Sequence, residues 1–267
     1  MALLKNQTNF VRDIQYKNRK EKNMGYYRRS SNTASAVFAV IICCMLFFAI
    51  RDDSDKTEPV KNIKGEALDF LPTSGETTAE NADPYILINR QSDFTEDAFQ
   101  TEPGTEIYAD LDSLGRCGTA FACLGPETLP EEERGAIGHI RPTGWHTVKY
   151  KGIDGNYLYN RCHLIAFSLA GENDNEKNLI TGTRFMNVEG MLPFEMQVLD
   201  YIRETGNHVL YRVTPVFIEK ELVARGVIID AASIEDDGIC FTVFCPNIQP
   251  GIAIDYADGT STGPAYD

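Results

Sequence analysis

Residues 157–195 read YLYNRCHLIAFSLAGENDNEKNLITGTRFMNVEGMLPFE, and this stretch limits the chain to few folds. It opens as a short aromatic strand (Tyr157 to Tyr159) and reaches a histidine, His163. It then crosses a polar loop rich in Asn, Asp and Glu and enters a segment with helical spacing. A strand, a loop and a helix that gather one histidine, several carboxamides and a carboxylate suit metal-assisted hydrolysis. That chemistry needs a neutral base and hard oxygen ligands.

The remainder of the chain divides by composition. Residues 1–33 hold eight Lys/Arg against Asp13 and Glu21. Removing those from totals of 25 basic and 39 acidic residues leaves a balance of −20 beyond position 33, against −14 for the whole chain. A strongly acidic body argues against tight, sequence-independent binding of phosphates, which relies on clustered Lys/Arg. It leaves room for a local basic groove working with a divalent cation. Residues 34–50 (ASAVFAVIICCMLFFAI) carry no charge, at the lower limit of a bilayer-spanning helix. The basic segment before this run predicts an uncleaved signal anchor with the N-terminus inside. A signal peptide is the competing reading, and its cleavage would release a secreted form. Residues 51–84 are rich in Asp, Glu, Thr, Ser, Lys and Pro, so they read as an acidic disordered tether. The folded domain is expected over 85–257, and a flexible tail over 258–267.

Within that domain, Tyr85 to Asn89, Ile107 to Gly115, Arg116 to Gly125 and Tyr157 to Ile165 have strand character, the last broken at Asn160. Residues 131–134 form a charged turn and GHIRPTGW (138–145) a loop. Met186, Met191, Phe194, Val198 and Ile202 recur on one helical face, with Gly206 as the stop. Three further runs, 208–217, 221–229 and 238–244, alternate as antiparallel strands. Strands on both sides of one helix predict an α+β domain with a mainly antiparallel sheet. Cys117 and Cys123 flank a short apolar segment and are candidates for a disulfide. No CxxC pair or Cys/His zinc spacing occurs.

Of the four histidines, His163 stands at a strand end beside Arg161 and before a polar loop, where a base belongs. His139, His146 and His208 lack such company and read as structural. Asn173 and Asn175 read as turn or cap residues. Asn187 falls inside the helical Met/Phe pattern, and Glu195, two turns on, projects from nearly the same face. This pair suits a hard cation that keeps most of its waters, as Mg²⁺ does.

The ordered set Asn160-Arg161-Cys162-His163, Asn178, Asn187 and Glu195 resembles the DNA/RNA non-specific endonucleases of the ββα-metal class. The words RPTGW, YLYNRCHLI, LAGEN, NEKNLITGTRFMN and EGMLPFE are similar to its Gram-positive branch, which includes membrane-anchored DNA-entry nucleases and streptococcal DNases. The likeness runs over about 110–256. It implies a ββα-metal fold with a metal-bearing helix, here preceded by one transmembrane helix. It further implies His163 as general base and Arg161 on the phosphate. Asn187 would be the direct Mg²⁺ ligand (Mn²⁺ as substitute), and Glu195 and Asn178 would orient metal waters and the His163 loop. DNA, and RNA as a second polymer, would be the substrate, hydrolysed outside the membrane. Asn160 stands where the family motif has Asp. Cys162 stands where it has Gly, which puts a thiol beside the base. Arg141, Lys149, Lys151, Lys177 and Arg184 are further cations near the motif that favour a polymeric substrate. Two other readings stay open: a catalytically impaired surface-binding protein on this fold, and a metal-dependent phosphodiesterase for small substrates.

Overall fold

The computed structural model describes residues 70–89 and 91–264. The expected basic segment, the membrane anchor at 34–50 and the tether up to residue 69 lie outside the described residues. Among the described residues, no helix is long and apolar enough to cross a membrane.

Period-two runs of β-branched and aromatic residues build a six-stranded antiparallel sheet. Its strands are β1 (Ile86–Asn89), β2 (Glu106–Tyr108), β3 (Ala120–Leu124), β6 (Val209–Val216), β7 (Gly226–Ser233) and β8 (Cys240–Pro246), in the order β1-β8-β7-β6-β3-β2. The central pair is the longest, running from Val209 opposite Ser233 to Val216 opposite Gly226. Two strands stand apart from this sheet. β4 (Tyr159–His163) and β5 (Leu179–Thr183) form their own antiparallel ribbon, with His163 opposite Leu179 and Asn160 opposite Gly182. Between them lie a one-turn helix, α1 (Phe167–Ala170), and the polar loop.

After β5 the chain enters a π-helical segment (Met186–Met191) that runs straight into α2 (Leu192–Thr205). The expected single helix over 185–205 is therefore two kinds of helix, and the Leu192 N–H closes a wide turn onto the Asn187 carbonyl. Pro193 fits the first turn, where its missing N–H costs nothing. Gly206, at φ 72°, ends α2 in the left-handed region and donates to the Ile202 carbonyl. Phe194, Val198, Leu199 and Ile202 are buried in the main core with Tyr211, Ile229 and Val243 of the sheet. Each buried side chain of this size contributes ~1.5–3 kcal/mol, so the helix that carries the site is held by its opposite face. The Phe194 ring meets Phe241 at 5.1 Å and Tyr85 edge-on at 4.8 Å.

Five further expectations change. The strand expected over 221–229 begins at Gly226, because Arg225 pairs with the Glu221 carboxylate and the N–H groups of Leu222 and Val223 bond to the Tyr256 carbonyl. Strand β4 runs unbroken through Asn160. The tether is shorter than composition suggests, since the Gly75 and Thr78 N–H groups bond to the carbonyls of Ile254 and Ile252. The polar tail is likewise tied down: β10 (Ser261–Thr262) pairs with β9 (Ala253–Ile254), and Asp258 accepts from Thr260 at 2.8 Å. In both segments, backbone pairing supplies order that apolar content does not. The candidate disulfide does not form either. Cys117 donates to the Leu179 carbonyl at 3.2 Å, and both it and Cys123 are unbridged.

Candidate active site

Strand β4, strand β5 and the π-helical turn converge on one cleft of about 730 Å³. Its walls include Arg134, Asn160, Arg161, His163, Arg184, Asn187 and Glu195, with Trp145, Tyr157 and Leu192 at its side. The imidazole expected at the sheet rim and the carboxamide expected on the helix thus open onto the same space. Asn178 does not.

His163 is buried at the end of β4. Its Nε2 lies 2.8 Å from the Asn173 carbonyl, which can only accept, so Nε2 carries the proton. Nδ1, 3.3 Å from an Arg134 amino group that can only donate, keeps its lone pair. Burial lowers the imidazole pKa, and the Arg134 charge lowers it further, against the opposing pull of the Asn173 carbonyl. The ring is thereby held neutral, in the tautomer a base requires.

The sequence marks Arg134 only as part of a charged turn. It sits beside His163, and its charge acts on Glu195 as well. No local pattern marks it, since its importance comes from a contact 29 positions along the chain. Arg161 does reach the cleft, but two of its donors go to the carbonyls of Ile140 (2.6 Å) and Gly138 (2.9 Å). Its guanidinium lies over the Trp145 ring at 4.1 Å. The loop GHIRPTGW is therefore the cradle that fixes Arg161. Arg184 lines the cleft and pairs with Asp154 at 2.6 Å. Lys177 instead turns to Asp110 at 2.7 Å.

Asn178 is wholly buried. Its Oδ1 accepts from the Ile165 N–H at 2.9 Å and its Nδ2 donates to the Ile165 carbonyl at 3.0 Å. Fully buried and outside the cleft lining, this carboxamide does not face metal waters. The expectation that Asn178 contacts them gives way, while its expected hold on the His163 loop has a direct geometric counterpart. Asn187 is half-exposed, and its Oδ1 accepts from the Cys162 thiol at 3.0 Å. Glu195 is buried, and burial pushes its carboxyl up to about 8, partly offset by Arg134. The thiol of Cys162, wholly buried, is raised well above its usual range. It fits because Gly182 on the neighbouring strand has no side chain: a Cβ there would stand 2.7 Å from that of Cys162.

The donor set fits a hard divalent cation. Among the described residues no group of three His, Cys, Asp or Glu side chains converges to hold a metal. Asn187 and Glu195 offer the cleft a carboxamide oxygen and a carboxylate, an oxygen set that needs waters to complete the shell of a divalent cation. A carboxyl raised by burial also gains most from a nearby positive charge.

His139 lies 3.9 Å from Asp174, His146 meets the Asp258 carbonyl, and His208 stands between Glu235 and Glu127. All three are outside the cleft lining.

A family model for DNA/RNA non-specific endonuclease matches residues 96–234. A deoxyribonuclease of Streptococcus dysgalactiae subsp. equisimilis is 37% identical over 118 residues, 42% of this chain and 35% of that protein. The chain thus spans about a third of that relative's length. The solved Sda1 nuclease with bound zinc ion superposes with a TM-score of 0.57 at 25% identity, over 70% of this chain and 98% of that one. The Streptococcus agalactiae NucA structure with magnesium ion bound shares the fold at a TM-score of 0.61 and 22% identity, over 76% and 98%. With β4, β5 and the following helix forming the ββα unit, Asn160, Arg161, His163, Asn187 and Glu195 around one cleft, and the family model matching over half of the chain, the chain belongs to the DNA/RNA non-specific endonuclease family.

Proposed function

We propose that this protein is a Mg²⁺-dependent endonuclease that hydrolyses phosphodiester bonds of DNA, and of RNA as a second substrate, without reading base sequence. The observation that carries the reading is the state of His163. Its Nε2 proton is committed to the Asn173 carbonyl, and its Nδ1 faces a cleft shared with three arginines and with the oxygens of Asn187 and Glu195. Arg134 turns from Nδ1 to a phosphate oxygen, and the freed Nδ1 lone pair takes the proton from a water whose oxygen attacks phosphorus as the bond to the leaving oxygen breaks. Arg134 and Arg161 bear the charge of the phosphate oxygens. Asn187 and Glu195 would hold the cation, with Asn187 as the direct ligand and Glu195 through water. A divalent cation supplies charge neutralisation at the leaving oxygen. Asn178 positions the His163 loop from beneath.

The apolar run at 34–50 and the preceding basic segment support attachment to the cell membrane with this domain outside. The experiment is incubation of the full chain with plasmid DNA, RNA and a small phosphodiester, with Mg²⁺ or with chelator, beside His163→Ala. Metal-dependent nicking that vanishes in the variant is expected. Turnover of the small ester alone would move the protein to the phosphodiesterase reading, and silence on every substrate to the binding-protein reading.

A further inference from the structure

Two apolar side chains that line the cleft are exposed in a way that phosphate chemistry does not explain. Tyr157 keeps 45% of its surface exposed and Leu192 39%, two of the few large apolar side chains that stay outside the cores, and both line the cleft. The Tyr157 ring is not a loose ornament. Its backbone is bridged to Lys149, and the following Leu158 N–H bonds to the Val148 carbonyl at 3.1 Å. The Lys149 ammonium stands 4.6 Å from the ring centroid. That cation covers one face of the ring, and the ring surface left exposed, in a cleft lined by arginines, is the kind of platform on which proteins stack unpaired bases.

Resting on the endonuclease reading above, we propose that Tyr157 and Leu192 form a base-stacking subsite, so that the cleft prefers strands carrying unpaired bases over intact duplex. In a duplex the flat faces of the bases are stacked inside, and only sugar, phosphate and groove edges meet a protein. An exposed ring in a phosphate cleft therefore gains nothing from intact duplex, whereas a single strand offers its bases to it. Charge complementarity brings the backbone there. The body is acidic, yet Arg134, Arg161 and Arg184 line this one cleft. No carboxylate among the described residues forms an ion pair with Arg161, whose donors go to carbonyls.

The test is equilibrium binding of the full chain in detergent, in chelator, to a labelled oligothymidylate and to a labelled duplex. Tyr157→Ala is expected to weaken single-strand binding about five- to 150-fold, the span of ~1–3 kcal/mol per stacked base. Duplex binding should stay within about twofold, and Tyr157→Phe should bind both like wild type. Because Tyr157 is exposed, the fold tolerates its truncation, and an unchanged unfolding midpoint confirms this. Equal losses for both ligands, or no loss for either, would overturn the inference. Failure of the wild type to cleave any polymer with Mg²⁺ would instead strike the endonuclease reading and leave this comparison readable.

Discussion

Truncating Asn178 to alanine tests what that buried carboxamide is for. It removes the acceptor of the Ile165 N–H and the donor to the Ile165 carbonyl, 2.9 and 3.0 Å away in a site without solvent. Each orphaned backbone group costs ~1–3 kcal/mol, so Asn178→Ala loses about 2–6 kcal/mol in total. For a domain of this size that lowers the midpoint by roughly 2–4 °C per kcal/mol. The same pin sets the chain just beyond the base, where the Leu164 N–H also bonds to the Asn178 carbonyl at 2.9 Å. We therefore expect kcat to fall together with stability. Asn178→Asp can still accept from Ile165 N–H but faces the Ile165 carbonyl with a second acceptor, and should recover part of the loss. The assay is urea denaturation of wild type and both variants, with calorimetric Mn²⁺ titration of the folded proteins. Mn²⁺ affinity should survive in Asn178→Ala and fail in Asn187→Ala. A variant as stable as wild type that has lost Mn²⁺ binding would return Asn178 to the metal and refute the argument.

Other predictions follow from the same geometry. Burial and Arg134 lower the His163 pKa, so the acid limb of the kcat/KM profile should fall below the usual histidine value of about 6.5; Arg134→Met should move it upward, and a limb at or above that value in wild type would contradict the assignment. His208 is raised, first by its hydrogen bond to Glu235 and further by Glu127. Its stabilisation is fully present below about pH 6.5 and is lost as pH rises through the higher folded-state pKa, a slope that Glu235→Gln should flatten in denaturation curves taken across that range. Cys162→Ala removes the donor to Asn187 Oδ1 and should weaken Mn²⁺ about fivefold, from ~1 kcal/mol for a neutral hydrogen bond, with Cys162→Ser restoring it. Gly182→Ala drives a methyl to 2.7 Å from the Cys162 Cβ and 2.8 Å from Met186 Cε and should cost ~1–3 kcal/mol by overpacking, read from the midpoint of a urea titration.

Local order carried much of the answer. The strand-loop-helix pattern around His163, the recurrence of Met186, Met191, Phe194, Val198 and Ile202, and the stop at Gly206 are short-range signals. Chain stiffness and burial on one face act over a few residues, so such signals survive in the bare sequence. The order and spacing of His163, Asn187 and Glu195 belong to this class, whereas their approach in space depends on β4 pairing with β5.

What folding alone settled is everything that depends on two distant segments meeting. Arg134 becomes a neighbour of His163 only when a charged turn folds over the end of β4. The Asn178 side chain turns inward because the Ile165 backbone there has no other partner for its N–H and carbonyl. Residues 75–78 and 258–262 are ordered by pairing with β9 and the turn before it, although their composition resembles solvated coil. Hydrogen bonds and desolvation between remote parts leave no periodic trace in a sequence, so the strand end at His163 and the helix beyond β5 are legible in it and the groups that surround His163 are not.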